Sequence, residues 1–187
     1  MCEWNRVVNV VGLRLRARDG FRPVVLRALE QRLPGLEHRI GGLEKEERTG
    51  NISYDPDNHD LMVRLRANKV AGIAADIPEL SVDHQEGANL LVLGWGGTHG
   101  PIAAGVRRAR ESGAAVAHAH LAYLNPFPRN LGGVLRSYDR VLVPEMNLGQ
   151  LLKLIRAEYL VDAVGYHRVR GVPFTSTEIA DAIAQLA

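Results

Sequence analysis

The chain has 187 residues, of which 46% are apolar and 24% charged, with a formal net charge of +2. Those values fit about one globular domain with extensions, and they exclude an argument for nucleic acid or a membrane surface from charge alone. No apolar run approaches the roughly 20 residues needed to span a bilayer and no secretory leader pattern opens the chain, so a cytoplasmic location is expected, without nucleic-acid or membrane partners.

Residues 1–34 read as a basic arm, in which seven arginines, no lysine and three acidic residues give +4 and leave the remainder at −2. A solvated amphipathic helix at about Pro23 to Leu33 is the simple reading of that charge run, and a phosphate-binding arm is the alternative. Residues 35–85 read as a linker with one helix, beginning with a polar, glycine-rich loop from Gly35 to Asn51. Asp55 is a good N-cap and Pro56 suits the first helical position; Leu61, Met62, Leu65 and Val70 then recur at helical spacing through about Ile73. Ile77 to Val82 contains a proline and suits a short edge strand.

Residues 86–187 read as an α/β domain organised around Asn89 to Pro101, NLLVLGWGGTHGP. Leu90 to Leu93 are consecutively apolar, as a parallel strand buried on both faces requires. The glycines that follow permit a tight turn, and Pro101 suits the first helical position because its missing N–H would be unpaired there. The spacing predicts a helix over Ile102 to Ser112, with Arg107, Arg108, Arg110 and Glu111 on its exposed face and Gly113 closing it. Ala115 to Ala119 is the second predicted strand, and Asn125, Pro126 and Pro128 break the chain after it. A short helix near Leu131 to Tyr138, a strand at Val141 to Val143, a helix at Leu148 to Tyr159 and a strand at Asp162 to Tyr166 follow. Ser176 to Leu186 is a terminal helix with Glu178 near its positive end. Strands alternating with helices at this spacing imply a doubly wound, mostly parallel sheet, in which ligands sit beyond the carboxyl ends of the strands.

The candidate ligand or interface residues are therefore Gly94, Trp95, Gly96, Gly97, Thr98, His99, His118, His120, Asn125, Glu145, Asn147 and Gln150. Gly94 and Gly96 match the start of a dinucleotide fingerprint. The third glycine position holds His99, however, and no acidic residue ends the second strand, which disfavours a nicotinamide cofactor. An anion at the start of the Pro101 helix is chemically reasonable because free N–H groups point there, and a plain structural turn is the competing reading. His118 and His120 share one strand face and join His99 as three imidazoles. No cysteine or carboxylate stands in motif spacing beside them, so buried or interface histidines are expected and no metal site. Glu145, Asn147 and Gln150 mark the passage from strand to helix, which suits capping and subunit contacts as well as catalysis. No catalytic residue is assigned, because there is no serine elbow, no phosphate-loop lysine and no paired base. The single Cys2 cannot alone hold an iron–sulfur cluster, which needs about four thiolates.

Five ordered stretches carry a family resemblance: LEHRIGG at Leu36 to Gly42, TGNISYDPDNHDLMVRLRANKVAGIA at Thr49 to Ala74, LLVLGWGGTHGPI at Leu90 to Ile102, VAHAHLAYLNPFPRNLG at Val116 to Gly132 and VLVPEMNLGQL at Val141 to Leu151. From about Pro34 onward the chain resembles the C-terminal portion of the alpha subunit of 2-oxoacid:ferredoxin oxidoreductases, the 2-oxoglutarate type being nearest. The resemblance implies a domain similar to the transketolase C-terminal domain. It implies oxidative decarboxylation of a 2-oxoacid to its acyl-CoA with reduction of ferredoxin, in a hetero-oligomer whose beta subunit carries thiamine diphosphate, Mg2+ and a 4Fe-4S cluster, with CoA as co-substrate. On that view this chain binds no cofactor alone, is inactive alone and serves assembly.

The family's preceding alpha-subunit domains, including a Tyr-Pro-Ile-Thr-Pro type stretch, have no counterpart here. A truncated subunit is therefore expected, and the arginine-rich, lysine-free arm is what a truncated or frameshifted gene read in a GC-rich frame would yield. The rival readings are a stand-alone α/β module binding a phosphate or CoA-type anion, and a nonfunctional remnant.

Overall fold

A computed structural model describes residues 42–187. The basic arm, the helix expected at Pro23 to Leu33 and LEHRIG at 36–41 lie outside the described residues. Two compact units divide between Ala67 and Asn68, within a helix, α1, at Pro56–Gly72.

In the first unit the start of α1 is set by Asp55, whose Oδ1 accepts a hydrogen bond from the Asp57 N–H at 2.9 Å, as an N-cap should. Polar contacts then tie the preceding loop to the helix. Asn58 is buried, donates to the Lys45 carbonyl at 3.0 Å and accepts from the Glu47 N–H at 3.3 Å. Arg66 and then His59 bind the Glu44 carboxylate and hold its pKa well below the usual range. The apolar residues at helical spacing do not make a buried stripe: Leu61, Leu65 and Val70 all stay exposed.

The second unit is built on a five-stranded sheet. Its strands are β1 (Val82–Asp83), β2 (Leu90–Trp95), β3 (Val116–Leu121), β4 (Arg140–Glu145) and β5 (Ala163–His167), in the spatial order β1-β3-β2-β4-β5. β1 is an antiparallel edge on β3, and the other pairings are parallel. The helices are α2 (His99–Glu111), α3 (Leu131–Arg136), α4 (Gln150–Tyr159) and α5 (Ser176–Ala184).

Alternate residues of the strands enter two separate cores. Leu90, Val92, Val116 and Leu142 pack with Ile102, Val106, Ile179 and Ile183 of α2 and α5. Leu91, Leu93, Ala117 and Val143 pack on the other face with Leu131, Leu135, Leu151 and Ile155 of α3 and α4. This is why the strands read as unbroken apolar runs: both faces are covered, and each large side chain so buried contributes on the order of 1.5–3 kcal/mol. After β2 the chain steps to β3 on one side and then to β4 on the other, so the winding reverses between β2 and β4. Doubly wound sheets open a crevice at that point, beyond the strands' carboxyl ends.

Two local expectations are corrected by packing. A 3-10 turn at Gly96–Thr98 precedes α2, so Pro101 is the third helical residue, still within the first turn whose N–H groups lack helical partners. Arg110 does not lie on the exposed face with Arg107 and Arg108. Its Nε donates to the Val116 carbonyl at 3.0 Å and its Nη1 to Asp83 Oδ2 at 2.9 Å, which clamps the two-residue edge strand to the sheet. At α5 Glu178 does more than face the dipole. It accepts from the Thr175 N–H at 2.8 Å while Thr175 Oγ1 accepts from the Glu178 N–H at 3.2 Å, a reciprocal capping box.

Gly105 lets α2 approach α5, since a Cβ there would stand against Ile179 and 3.0 Å from the Ser176 carbonyl oxygen. Gly105→Ala is expected to destabilise the fold by about 1–2 kcal/mol, overpacking outweighing the better helix propensity of alanine. Urea unfolding checks this, and an unchanged midpoint would show that the two helices are not in close contact.

Candidate functional site

The predicted residues at the carboxyl edge separate into two groups joined by Trp95. The first surrounds Glu145, the last residue of β4, which is fully buried. Its Oε1 accepts from the Leu151 N–H at 2.8 Å, from Asn147 Nδ2 at 3.1 Å and from Trp95 Nε1 at 3.3 Å. Its Oε2 accepts from the Leu152 N–H at 3.0 Å. The carboxylate thus closes the N-terminus of α4 and anchors the indole from the neighbouring strand β2. Asn147 turns the chain between them, its Oδ1 accepting from the N–H groups of Gly149 and Gln150 at 2.8 and 2.9 Å. Gln150 is exposed and takes part through its backbone.

His167, at the end of β5, belongs to this group although the sequence reading did not select it. Its Nε2 lies 3.9 Å from Glu145 Oε2. The ring occupies the space that side chains at Gly149 and Gly165 would fill, a Cβ on Gly149 coming within 2.6 Å of it. Gly149 also has φ +81, so both conformation and space demand glycine there. Position at a strand's carboxyl end was the one signal that could have found His167.

The second group lies under the start of α2. The ring of His99 is 4.8 Å from that of His120 and 5.7 Å from that of His118, centre to centre. His118 is buried and its Nε2 has no partner; His120 Nδ1 is also buried and partnerless. His120 Nε2 contacts the Gly96 carbonyl at 3.1 Å, and because a carbonyl only accepts, Nε2 carries the proton. Burial first, then the nearby His99 and His120 rings, push the His118 pKa down to about 4. Burial also lowers that of His120, against the raising effect of the Gly96 carbonyl. Gly94 makes room for this cluster, since a Cβ there would sit 2.7 Å from Ile102 Cδ1 and 2.8 Å from His120 Nδ1.

The glycine loop completes the edge. Thr98 is buried with its hydroxyl donating to the Trp95 carbonyl at 2.7 Å, so its polar capacity is spent locally. Gly97 and Gly100 face open space, nothing standing within 4 Å of where their Cβ atoms would be. Asn125 is exposed in the loop after β3 and joins neither hydrogen-bonded group. The arrangement offers a rigid, self-satisfied half around Glu145 and a bare glycine surface beside three imidazoles. Among the described residues no group of three or more His, Cys, Asp or Glu is placed to hold a metal ion.

No protein-family profile matches the chain. It is 58% identical over 147 residues to the 2-oxoglutarate oxidoreductase subunit KorA of Mycobacterium tuberculosis, a match covering 78% of this chain and 22% of that protein. It is 31% identical over 138 residues to the 2-oxoglutarate synthase subunit KorA of Methanocaldococcus jannaschii, covering 70% of this chain and 37% of that protein. Among solved structures it is similar to the 2-oxoglutarate:ferredoxin oxidoreductase of Magnetococcus marinus, solved with 2-oxoglutarate, coenzyme A and succinyl-CoA bound. The TM-score is 0.72 at 32% identity, over 81% of this chain and 27% of that one. The chain therefore spans between about a fifth and two fifths of the length of these relatives.

Glu145→Ala is expected to cost about 3 kcal/mol or more, because it leaves the Trp95, Leu151 and Leu152 N–H groups without an acceptor; Glu145→Gln, which keeps the shape, should cost less. Denaturant unfolding read by far-UV dichroism measures both. Equal stability of the alanine variant would remove the structural role assigned to this carboxylate.

Proposed function

We propose that this chain, a homologue of part of a 2-oxoacid:ferredoxin oxidoreductase alpha subunit, corresponds to the C-terminal portion of that subunit and serves assembly of the complex. The observation that carries the reading is the match itself: 58% identity runs over 78% of this chain yet reaches only 22% of the relative, so these residues correspond to one part of such a subunit. Surface composition supports it. Leu61, Leu65 and Val70 on α1, and Leu148, Leu160, Val169 and Val172 around α4 and β5, are large apolar side chains left exposed, as surfaces meant for packing are.

In this reading the α/β domain is of the transketolase C-terminal type, and the glycine loop faces a neighbouring domain. The whole cytoplasmic complex would oxidatively decarboxylate 2-oxoglutarate or a related 2-oxoacid to acyl-CoA and reduce ferredoxin. Thiamine diphosphate, Mg2+ and the 4Fe-4S cluster are assigned to the beta subunit. In support, the sequence holds one cysteine, Cys2, where a cluster needs about four thiolates, and among the described residues no group of three or more His, Cys, Asp or Glu is placed to hold a metal ion. No electron-transfer step is routed through it. Among the described residues no helix is long and apolar enough to cross a membrane.

Gly97 separates docking from folding. Its Cβ would meet nothing, so Gly97→Leu is expected to change the stability of the isolated chain by less than about 1 kcal/mol while abolishing assembly. The chain, co-expressed with the beta subunit and the remaining alpha-subunit domains, should co-elute with them on size exclusion and support 2-oxoglutarate- and CoA-dependent viologen reduction. Separate elution would overturn the reading. A phosphate- or CoA-dependent rise in Tm together with separate elution would instead mark an anion-binding module, which the bare glycine surface at the start of α2 would suit.

A further inference from the structure

Ala103, Val106, Arg107 and Arg110 recur at helical spacing and so share one face of α2, the face turned toward the edge strand β1. Together with Asp83 of β1 they line a cavity of about 240 Å3. We propose that this cavity binds an aliphatic carboxylate, Arg107 holding the carboxylate group while Ala103 and Val106 meet the methylenes that carry it.

The charge of the cavity follows from what Arg110 already does. Its Nη1 donates to Asp83 Oδ2 at 2.9 Å, and its Nε and Nη2 donate to the Val116 carbonyl at 3.0 and 2.8 Å. Nη2 also donates to the Asp83 carbonyl at 2.9 Å. Arg110 and the Asp83 carboxylate therefore neutralise one another and are fixed in place. Arg107 is left over. It is exposed and, among the described residues, has neither a hydrogen-bond nor an ion-pair partner, Glu111 one turn further on included. One unmatched positive charge, in a cavity whose other two charges cancel, calls for one anion.

The strand beneath adds a second sign. Asp83 stands opposite His118 in the β1 and β3 ladder, so the two side chains lie on the same face of the sheet, the one α2 covers. His118 is buried and its Nε2 has no hydrogen-bond partner. A buried ring nitrogen left unpaired across from a charged cavity residue marks a place for a ligand atom.

The walls choose among anions. Bare phosphate would gain nothing from the methyl groups of Ala103 and Val106, whereas a carboxylate on a short alkyl stem buries its methylenes against them. A planar carboxylate also matches the parallel N–H pair of a guanidinium. A free alkyl acid and the glutamate side chain of a partner protein share this chemistry.

The 187-residue chain alone provides the test, so its outcome does not depend on assembly with other subunits. Sodium butyrate, titrated at constant ionic strength, should shift the NMR signals of the Arg107 Nε–H and of the Ala103 and Val106 methyls, and the shifts should saturate. Arg107→Gln removes an exposed side chain without partners, so the fold should persist while butyrate binding weakens about tenfold, as loss of a charge-assisted hydrogen bond implies. Shifts that fail to saturate, that chloride or phosphate reproduces, or that persist unchanged in Arg107→Gln would overturn the site. A capped peptide with one glutamate, and its glutamine counterpart, separate the sources. Tighter binding of the glutamate peptide than of butyrate assigns the carboxylate to a partner's side chain, and tighter butyrate assigns it to a free acid; either supports the site. Equal binding of the two peptides would overturn carboxylate recognition.

Discussion

A carboxylate sealed inside a protein must be met by donors, and much of the carboxyl edge of this sheet is arranged to meet Glu145. Removing an ion from water costs several kcal/mol, which only close, well-placed hydrogen bonds offset. Here Trp95, Asn147 and two N–H groups of α4 converge on it from 2.8 to 3.3 Å. One interaction consequently fixes the end of β2, the turn after β4 and the first residues of α4. It also stops the crevice at the winding reversal with the protein's own indole and carboxylate.

The other half of the edge is held differently. Beneath the glycine loop the polar atoms are imidazole nitrogens, two of them buried without partners, and above it Gly97 and Gly100 leave bare backbone. Trp95 belongs to both halves, its backbone bonded to Thr98 in the loop and its indole to Glu145. A carboxylate met by four donors beside bare glycine backbone is the physical contrast that organises this surface.

The same contrast bears on function. No described set of side chains pairs a nucleophile with a base: Glu145 spends its lone pairs on helix and indole, and Thr98 spends its hydroxyl on the backbone of Trp95. Among the charged residues of its surface the domain also exposes Leu148, Leu160, Val169, Val172 and the glycines at 97 and 100.

How far the sequence could be read depended on whether the deciding contact was local. Leu90 to Leu93 announced a doubly covered strand because burial on both faces leaves no polar position, and Asp55 with Pro56 announced a helix start because capping acts within one turn. Thr175 with Glu178 had the same local signature and was legible in principle. Arg110 was misplaced because helical spacing sets it beside Arg107 and Arg108, while its partners, Asp83 and the Val116 carbonyl, come from other strands. His167 escaped notice because Gly149, Gly165 and Glu145 converge on it only once β4 and β5 are neighbours. The sequence by itself determined the order of elements and the α/β class, since periodicity and turn chemistry are written in adjacent residues. Tertiary structure alone decided that Trp95 meets Glu145, because that meeting follows from strand order, which no local pattern encodes.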